Sequence, residues 1–125
     1  MGLSHHSIGI LFSTDGPYGL VGRAMLNGAR LAVEEVNAQG DITLEPVICD
    51  PQGALAGYVA GAEQLLGAGI RHVVGCYTSS SRKEIIPIFE KRDGLLWYPS
   101  HYEGFETSAN VIYTGASPNQ HIVPL

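Results

Sequence analysis

Cys76 and Arg82 stand six positions apart in the stretch VVGCYTSSSRK. A C-x5-R spacing between a strand and a helix is the pattern of a cysteine-dependent phosphatase, in which backbone N–H groups and the positive helix end hold a phosphate and depress the thiol pKa. Two features oppose that chemistry. The loop carries the bulky Tyr77 and no glycine between Cys76 and Arg82, whereas a tight phosphate cradle calls for positive φ or close backbone approach, and no general acid stands out. The competing chemistry is non-covalent. Ser13, Thr14, Tyr77, Thr78, Ser79, Tyr98, Ser100 and Tyr102 offer neutral donors and acceptors beside flat apolar walls, which suits a small polar ligand such as an amide, urea or an amino acid. Any one of these tyrosines is explained equally well as a packing residue with its hydroxyl in water; three near strand ends weigh more.

Other motifs are weaker. Gly16, Gly19 and Gly22 recur every third residue, which is not the G-x-G-x-x-G of a dinucleotide site, and no acid follows about 20 residues on at the end of the second strand. Their plainer role is a turn at Gly16 and Pro17 and a close helix–sheet approach at Gly22. Asp15 after the first strand suits a phosphoryl-receiver domain, but Cys76 and Tyr77 occupy the strand end where such a domain needs its aspartate. Cys49 and Cys76 fall in no metal-type spacing and are expected as free thiols. His5 and His6 are expected in a fraying terminus. No metal or cofactor is expected.

These residues need a scaffold. Ile8 to Phe12 reads as a strand, STDGPYG as a turn, and Leu20, Ala24, Leu26, Ala29, Leu31, Ala32, Val33 and Val36 as the apolar side of a helix ending at Gly40. The alternation continues with a strand over Ile42 to Cys49, a helix over Ala54 to Leu66, and a strand over Ile70 to Gly75. Ser79, Ser80 or Ser81 can cap a third helix, carrying Pro87 and closed by Gly94. Leu95 to Trp97 and Val111 to Tyr113 read as strands four and five, and Ser117 with Pro118 opens a further helix. Strict β/α alternation with near-continuous apolar strands predicts an α/β, doubly wound parallel sheet in the flavodoxin-like order 2-1-3-4-5, with helices on both faces. Ligands of such sheets sit beyond the carboxyl ends of the strands. The loops there are 13–19, 76–81 and 98–105.

Composition agrees with one folded unit. The chain has 125 residues, 45% of them hydrophobic and 15% charged, which fits a globular α/β domain. Seven basic against twelve acidic residues give a net charge of −5, with no basic stripe, so direct nucleic-acid binding is not expected. No run approaches the roughly 20 apolar residues of a membrane span, and MGLSHHSIGILFS lacks the features of an export signal. Membrane insertion is not expected, and a cytoplasmic location is, with a periplasmic one as the alternative if a signal has been removed.

The segments ILFSTDGPYG, GARLAVEEVNAQG, VVGCYTSSSRKEIIPIFE and GLLWYPSHYEGFETSANVIYTGASPNQ together resemble the type I periplasmic-binding-protein fold. GCYTSSSRK and YPSHYEGFE resemble in particular the amide-sensing negative regulators of aliphatic amidase operons and the urea-binding proteins of ABC transporters. The resemblance implies a ligand-binding protein and no enzyme. It places Ser79 on the ligand, the Tyr98-Pro99-Ser100 segment on or beside it, and Tyr77 along the pocket, with Cys76 a buried strand-end residue and Arg82 a surface or capping cation. It further implies that residues 1–125 form one ligand-binding lobe of a two-lobed protein, incomplete without the second, exposing apolar surface and able to form a homodimer. The implied role is sensing of a short amide or urea with an antiterminator-type regulator as partner; the alternative is the substrate-binding component of a urea or branched-chain amino acid ABC transporter, whose partner is a membrane permease.

Overall fold

Runs of β-branched and apolar residues bounded by glycine, asparagine and aspartate become parallel strands in the computed structural model, which describes residues 4–16, 18–100 and 108–114. The elements follow as β1 (Ser4–Leu11), α1 (Gly19–Gln39), β2 (Ile42–Cys49), α2 (Leu55–Gly67), β3 (His72–Gly75), α3 (Ser79–Arg92), β4 (Leu95–Tyr98) and β5 (Val111–Tyr113). They pair in the order β2-β1-β3-β4-β5, every pair parallel, the doubly wound order expected. The chain steps one way from β1 to β2 and the opposite way from β2 onward. Right-handed crossovers therefore send α1 to one face and α2 and α3 to the other. The reversal lies between β1 and β3, where a ligand crevice opens in sheets of this kind.

Element ends differ from expectation where tertiary contacts outweigh local preference. β1 begins at Ser4 and not at Ile8, because Ser4 to Ser7 find partners in Ile42 to Glu45. His5 and His6 therefore lie in the sheet, not in a frayed end, and strand alternation sends their side chains to opposite faces. β3 starts at His72 and not at Ile70; the Ile70 N–H instead donates to the Leu65 carbonyl at 3.2 Å and closes the end of α2. The cap of α3 is Thr78, whose side chain accepts from the Ser81 N–H, so Ser79, Ser80 and Ser81 form the first turn. Pro87 stands inside α3 without ending it. It is exposed, as is Lys83 four residues earlier, so water can satisfy the carbonyl that proline leaves without a donor. The helix opened by Ser117 and Pro118 falls outside the described residues.

The core lies between the sheet and α2 with α3. Leu11, Val73 and Leu96 project from neighbouring strands into Leu65, Ile85 and Phe89, all nearly or fully buried. The opposite face is covered unevenly. Although α1 carries the expected apolar repeat, it buries only Gly19, Gly22 and Val33; Leu20 is 80% and Leu31 58% exposed. Ile8, Val74 and Trp97, alternating with the core positions, line an apolar groove on that face.

α1 sits tightly on the end of β1 because it has glycine there. A Cβ on Gly22 would stand 1.6 Å from the Ser13 carbonyl oxygen, with backbone as the obstacle. The sequence reading of Gly22 as a close-packing position holds for this physical reason. Gly22→Ala should force α1 off the strand end and cost about 1–3 kcal/mol or more. A urea midpoint equal to that of the wild type would refute this packing.

Candidate ligand-binding site

Three loops meet at the carboxyl ends of β1, β2 and β3, and Ser13 joins them. Its hydroxyl donates to the Asp15 carbonyl at 3.0 Å within its own loop. The same oxygen accepts the Gly53 N–H of the β2–α2 loop, and the Ser13 carbonyl faces the Tyr77 hydroxyl of the β3–α3 loop at 3.2 Å. Thr14 adds a second tie: its N–H donates to Asp50 Oδ1 at 3.2 Å and its hydroxyl donates to Oδ2 of the same carboxylate. Desolvation acts to raise the Asp50 pKa, but the hydrogen bonds from Thr14 and Gln52 and the charge of Arg23 outweigh it and leave it lowered.

Tyr77 forms the wall between two cavities. Its ring stacks on Phe12 and meets Tyr18 edge-on, with centroids 6.4 and 6.0 Å away, and its hydroxyl lies 3.0 Å from the Tyr18 carbonyl. On one side is an open cavity of about 470 Å³, where Ser79, Thr78 and Ser80 at the start of α3 face Tyr98 and Ser100 from the end of β4, with Tyr18 and Val21 from the α1 side. On the other side a smaller cavity of about 170 Å³ reaches Leu55 and Tyr58 of α2. Of the residues expected in the site, Tyr77, Thr78, Ser79, Tyr98 and Ser100 come together around the larger cavity. Ser13 lines the smaller one, with its hydroxyl already engaged. Pro99 lies on the opposite face, in the groove with Trp97, and Tyr102 falls outside the described residues. Tyr18, Val21, Ser80, Leu55 and Tyr58 complete the walls without having been singled out from the sequence. Tyr18 was within reach, since it directly follows the first strand–helix turn; Tyr58 was not, because on a helix's apolar side it reads as core.

The phosphatase chemistry has no place here. Cys76 is fully buried, and burial pushes its thiol up to about 12 against the lowering effects of Ser81 and Arg82, so the nucleophilic thiolate is not formed near neutrality. Arg82 is likewise 1% exposed, not the surface cation expected. Its guanidinium lies over the rings of Tyr98 and Tyr113, at 4.9 and 5.7 Å from their centroids. These cation–π contacts stabilise a charge withdrawn from water and fix Tyr98 at the back of the cleft.

Two outcomes follow from this geometry. Ser13→Ala removes the acceptor of the Gly53 N–H and should cost about 0.5–1.5 kcal/mol, read as a lowered urea midpoint; no change would show the three loops to be held independently. Cys76 keeps its proton in the folded state up to about 12, against 9.0 for its ordinary value. Between those values the unfolded chain releases a proton that the folded chain retains, so stability falls as pH rises through that window; buried Tyr58 and Tyr98 and half-buried Tyr77, also raised by desolvation, act in the same direction. The urea midpoint should be lower at about pH 10.5 than at about pH 7.5, and iodoacetamide at neutral pH should leave Cys76 unmodified until the chain unfolds. Rapid alkylation of native Cys76 would contradict the burial.

The sequence matches the family described as "Periplasmic binding protein domain" over residues 6–125. It is 32% identical over 97 residues to the Leu/Ile/Val-binding protein BraC3 of Rhizobium johnstonii, covering 75% of this chain and 26% of that protein. To the leucine-specific-binding protein of Salmonella typhimurium it is 31% identical over 99 residues, covering 74% and 26%. The chain thus spans about a quarter of the length of these curated relatives. Its fold superposes on the branched-chain amino acid transporter substrate-binding protein LivJ of Streptococcus pneumoniae, solved with isoleucine, with TM-score 0.79 and 24% identity over 91% of this chain and 34% of that one. These relatives carry the names of branched-chain amino acid binders, so the narrower likeness to amide sensors and urea binders finds no support in them. The cytoplasmic location expected from the N-terminal residues is corrected by the same matches, to a family of periplasmic proteins. The expectation of a solute-binding protein and no enzyme agrees with them. Matched across nearly its whole length, the chain belongs to the periplasmic binding protein family.

Proposed function

We propose that this chain is the N-terminal lobe of the substrate-binding component of an ABC transporter, and that its ligand is a branched-chain aliphatic amino acid. The observation that carries the reading is the pairing of a helix start with apolar walls in one cavity. Thr78, Ser79 and Ser80 gather hydroxyls at the positive end of α3, whose first turn holds no acidic residue. That end favours a carboxylate, which neutral amides and urea lack. Tyr18 and Val21 stand beside it, 57% and 45% exposed, as apolar surface that an aliphatic side chain would cover. The names of the relatives point the same way, and the membrane permease of such a transporter would be the partner. A single lobe of such a component supplies part of the ligand's contacts, and weak binding is expected of it alone.

The experiment is a titration of the ¹⁵N-labelled chain with L-leucine, L-isoleucine, L-valine, acetamide and urea. The amino acids should shift the amide signals of Thr78 to Ser81 and Ser100 at concentrations on the order of millimolar, with acetamide and urea far weaker. Ser79→Ala should weaken leucine binding by about three- to tenfold, the worth of one neutral hydrogen bond of about 0.5–1.5 kcal/mol. Shifts produced by acetamide or urea but not by the amino acids would overturn the reading.

A further inference from the structure

One side of α1 is left unused by the fold. Leu20, Ala24, Gly28 and Leu31 follow one another at spacings of four, four and three, the repeat of a single helix face. That face lies opposite Gly22 and Val33, which α1 buries. It stands in solvent: Leu20 is 80% and Leu31 58% exposed, and a Cβ on Gly28 would meet nothing within 4 Å. We propose that this face is a homodimerisation surface, on which α1 of a second copy packs antiparallel across a two-fold axis near Gly28. The proposal is independent of which ligand the cleft takes.

Charge selects the occupant. The charged residues of α1 are Arg23, Arg30, Glu34 and Glu35, all exposed and ordered with both bases before both acids. That order opposes the helix dipole, which favours acids near the start and bases near the end. Within one chain it gains only the Arg30–Glu34 spacing of four, in the less favourable direction. An antiparallel copy reverses the order alongside. Arg23 and Glu34 stand eleven residues apart, about three turns, and so share one flank of the leucine face. With the axis near Gly28, each Arg23, whose charge also acts on Asp50, comes beside the partner's Glu34, twice by symmetry. A parallel copy would set like charges side by side. Gly28 weakens an isolated helix, but at the crossing it lets two helix backbones approach closely. The 21 residues of α1 run for about 31 Å. One such contact between helices buries less than the roughly 800 Å² per partner of a standard interface, so the dimer is weak, with a Kd on the order of tens of micromolar.

The test is sedimentation equilibrium of the whole chain from about 5 to about 500 µM. The mass should rise from monomer towards dimer across that range. Leu31→Glu, at an exposed position and with its fold checked by the amide spectrum, should raise the Kd at least about tenfold. Glu34→Arg should raise it about three- to tenfold by setting arginine against arginine. Adding Arg23→Glu to that variant should bring the Kd back towards the wild-type value, because both pairs reform with their signs exchanged. A wild type that stays monomeric throughout, or a dimer as tight in Leu31→Glu as in the wild type, would overturn the proposal. A double variant that associates more weakly than Glu34→Arg alone would overturn it through the antiparallel pairing it requires.

Discussion

A strand that ends at an open cleft leaves backbone polar groups where the sheet stops supplying partners, and in this chain that demand converges on Ser13. Its carbonyl and hydroxyl meet groups from all three neighbouring loops while the residue itself is 1% exposed. Buried donors and acceptors left unpaired cost more than a formed hydrogen bond gains. The loops are therefore coupled: Tyr77 stands where it does because the Ser13 carbonyl requires a donor, and Gly53 approaches because the Ser13 hydroxyl accepts its N–H. The absence of a side chain at Gly22 is the other half of the constraint, since only a bare Cα lets α1 come down beside the carbonyl that Tyr77 serves. Both cavities take their shape from this junction.

Arg82 sets the back wall by a different balance. A guanidinium withdrawn from water requires compensation, and it lies over two aromatic rings supplied by β4 and β5. That arrangement orders the first turn of α3 against the ends of those strands. Cys76 beside it adopts a left-handed φ of 53°, an uncommon conformation for a residue with a side chain. The strand thereby turns into the helix within three residues and brings Thr78, Ser79 and Ser80 to the cleft. The spacing that suggested a nucleophile and its phosphate clamp is a packing device here, and it holds the walls of the cleft in place.

What could be read from the sequence divides along physical lines. β2 and β5 have the ends that local apolar patterning gives them, because turn residues bound them on both sides. β1 was underestimated, since its first four residues are strand only through pairing with β2. A family likeness carries no information about burial at a single position, so Arg82 was expected as a surface or capping cation although it is buried. Tyr77, Ser79 and Tyr98 could be anticipated because strand ends at a topological reversal face the cleft whatever their packing. Pro99 shows the limit of that rule: one residue beyond Tyr98, the strand's alternation turns it to the other face.

The same alternation bears on why only one face of the sheet is finished. Leu11, Val73 and Leu96 are closed off by α2 and α3, whereas Ile8, Val74 and Trp97 line an open groove and Leu20 and Leu31 of α1 point into solvent. The junction at Ser13 and the buried Arg82 both belong to the finished side or to the strand ends, so the cleft is organised by contacts that do not depend on the open face. The geometry of the cleft can then be set locally, by loops tied to one another within the chain. Preorganisation of that kind lowers the ordering cost of binding. In the smaller cavity the hydroxyls of Ser13, Thr78 and Ser81 are taken up within the protein, which leaves mostly carbon on that wall.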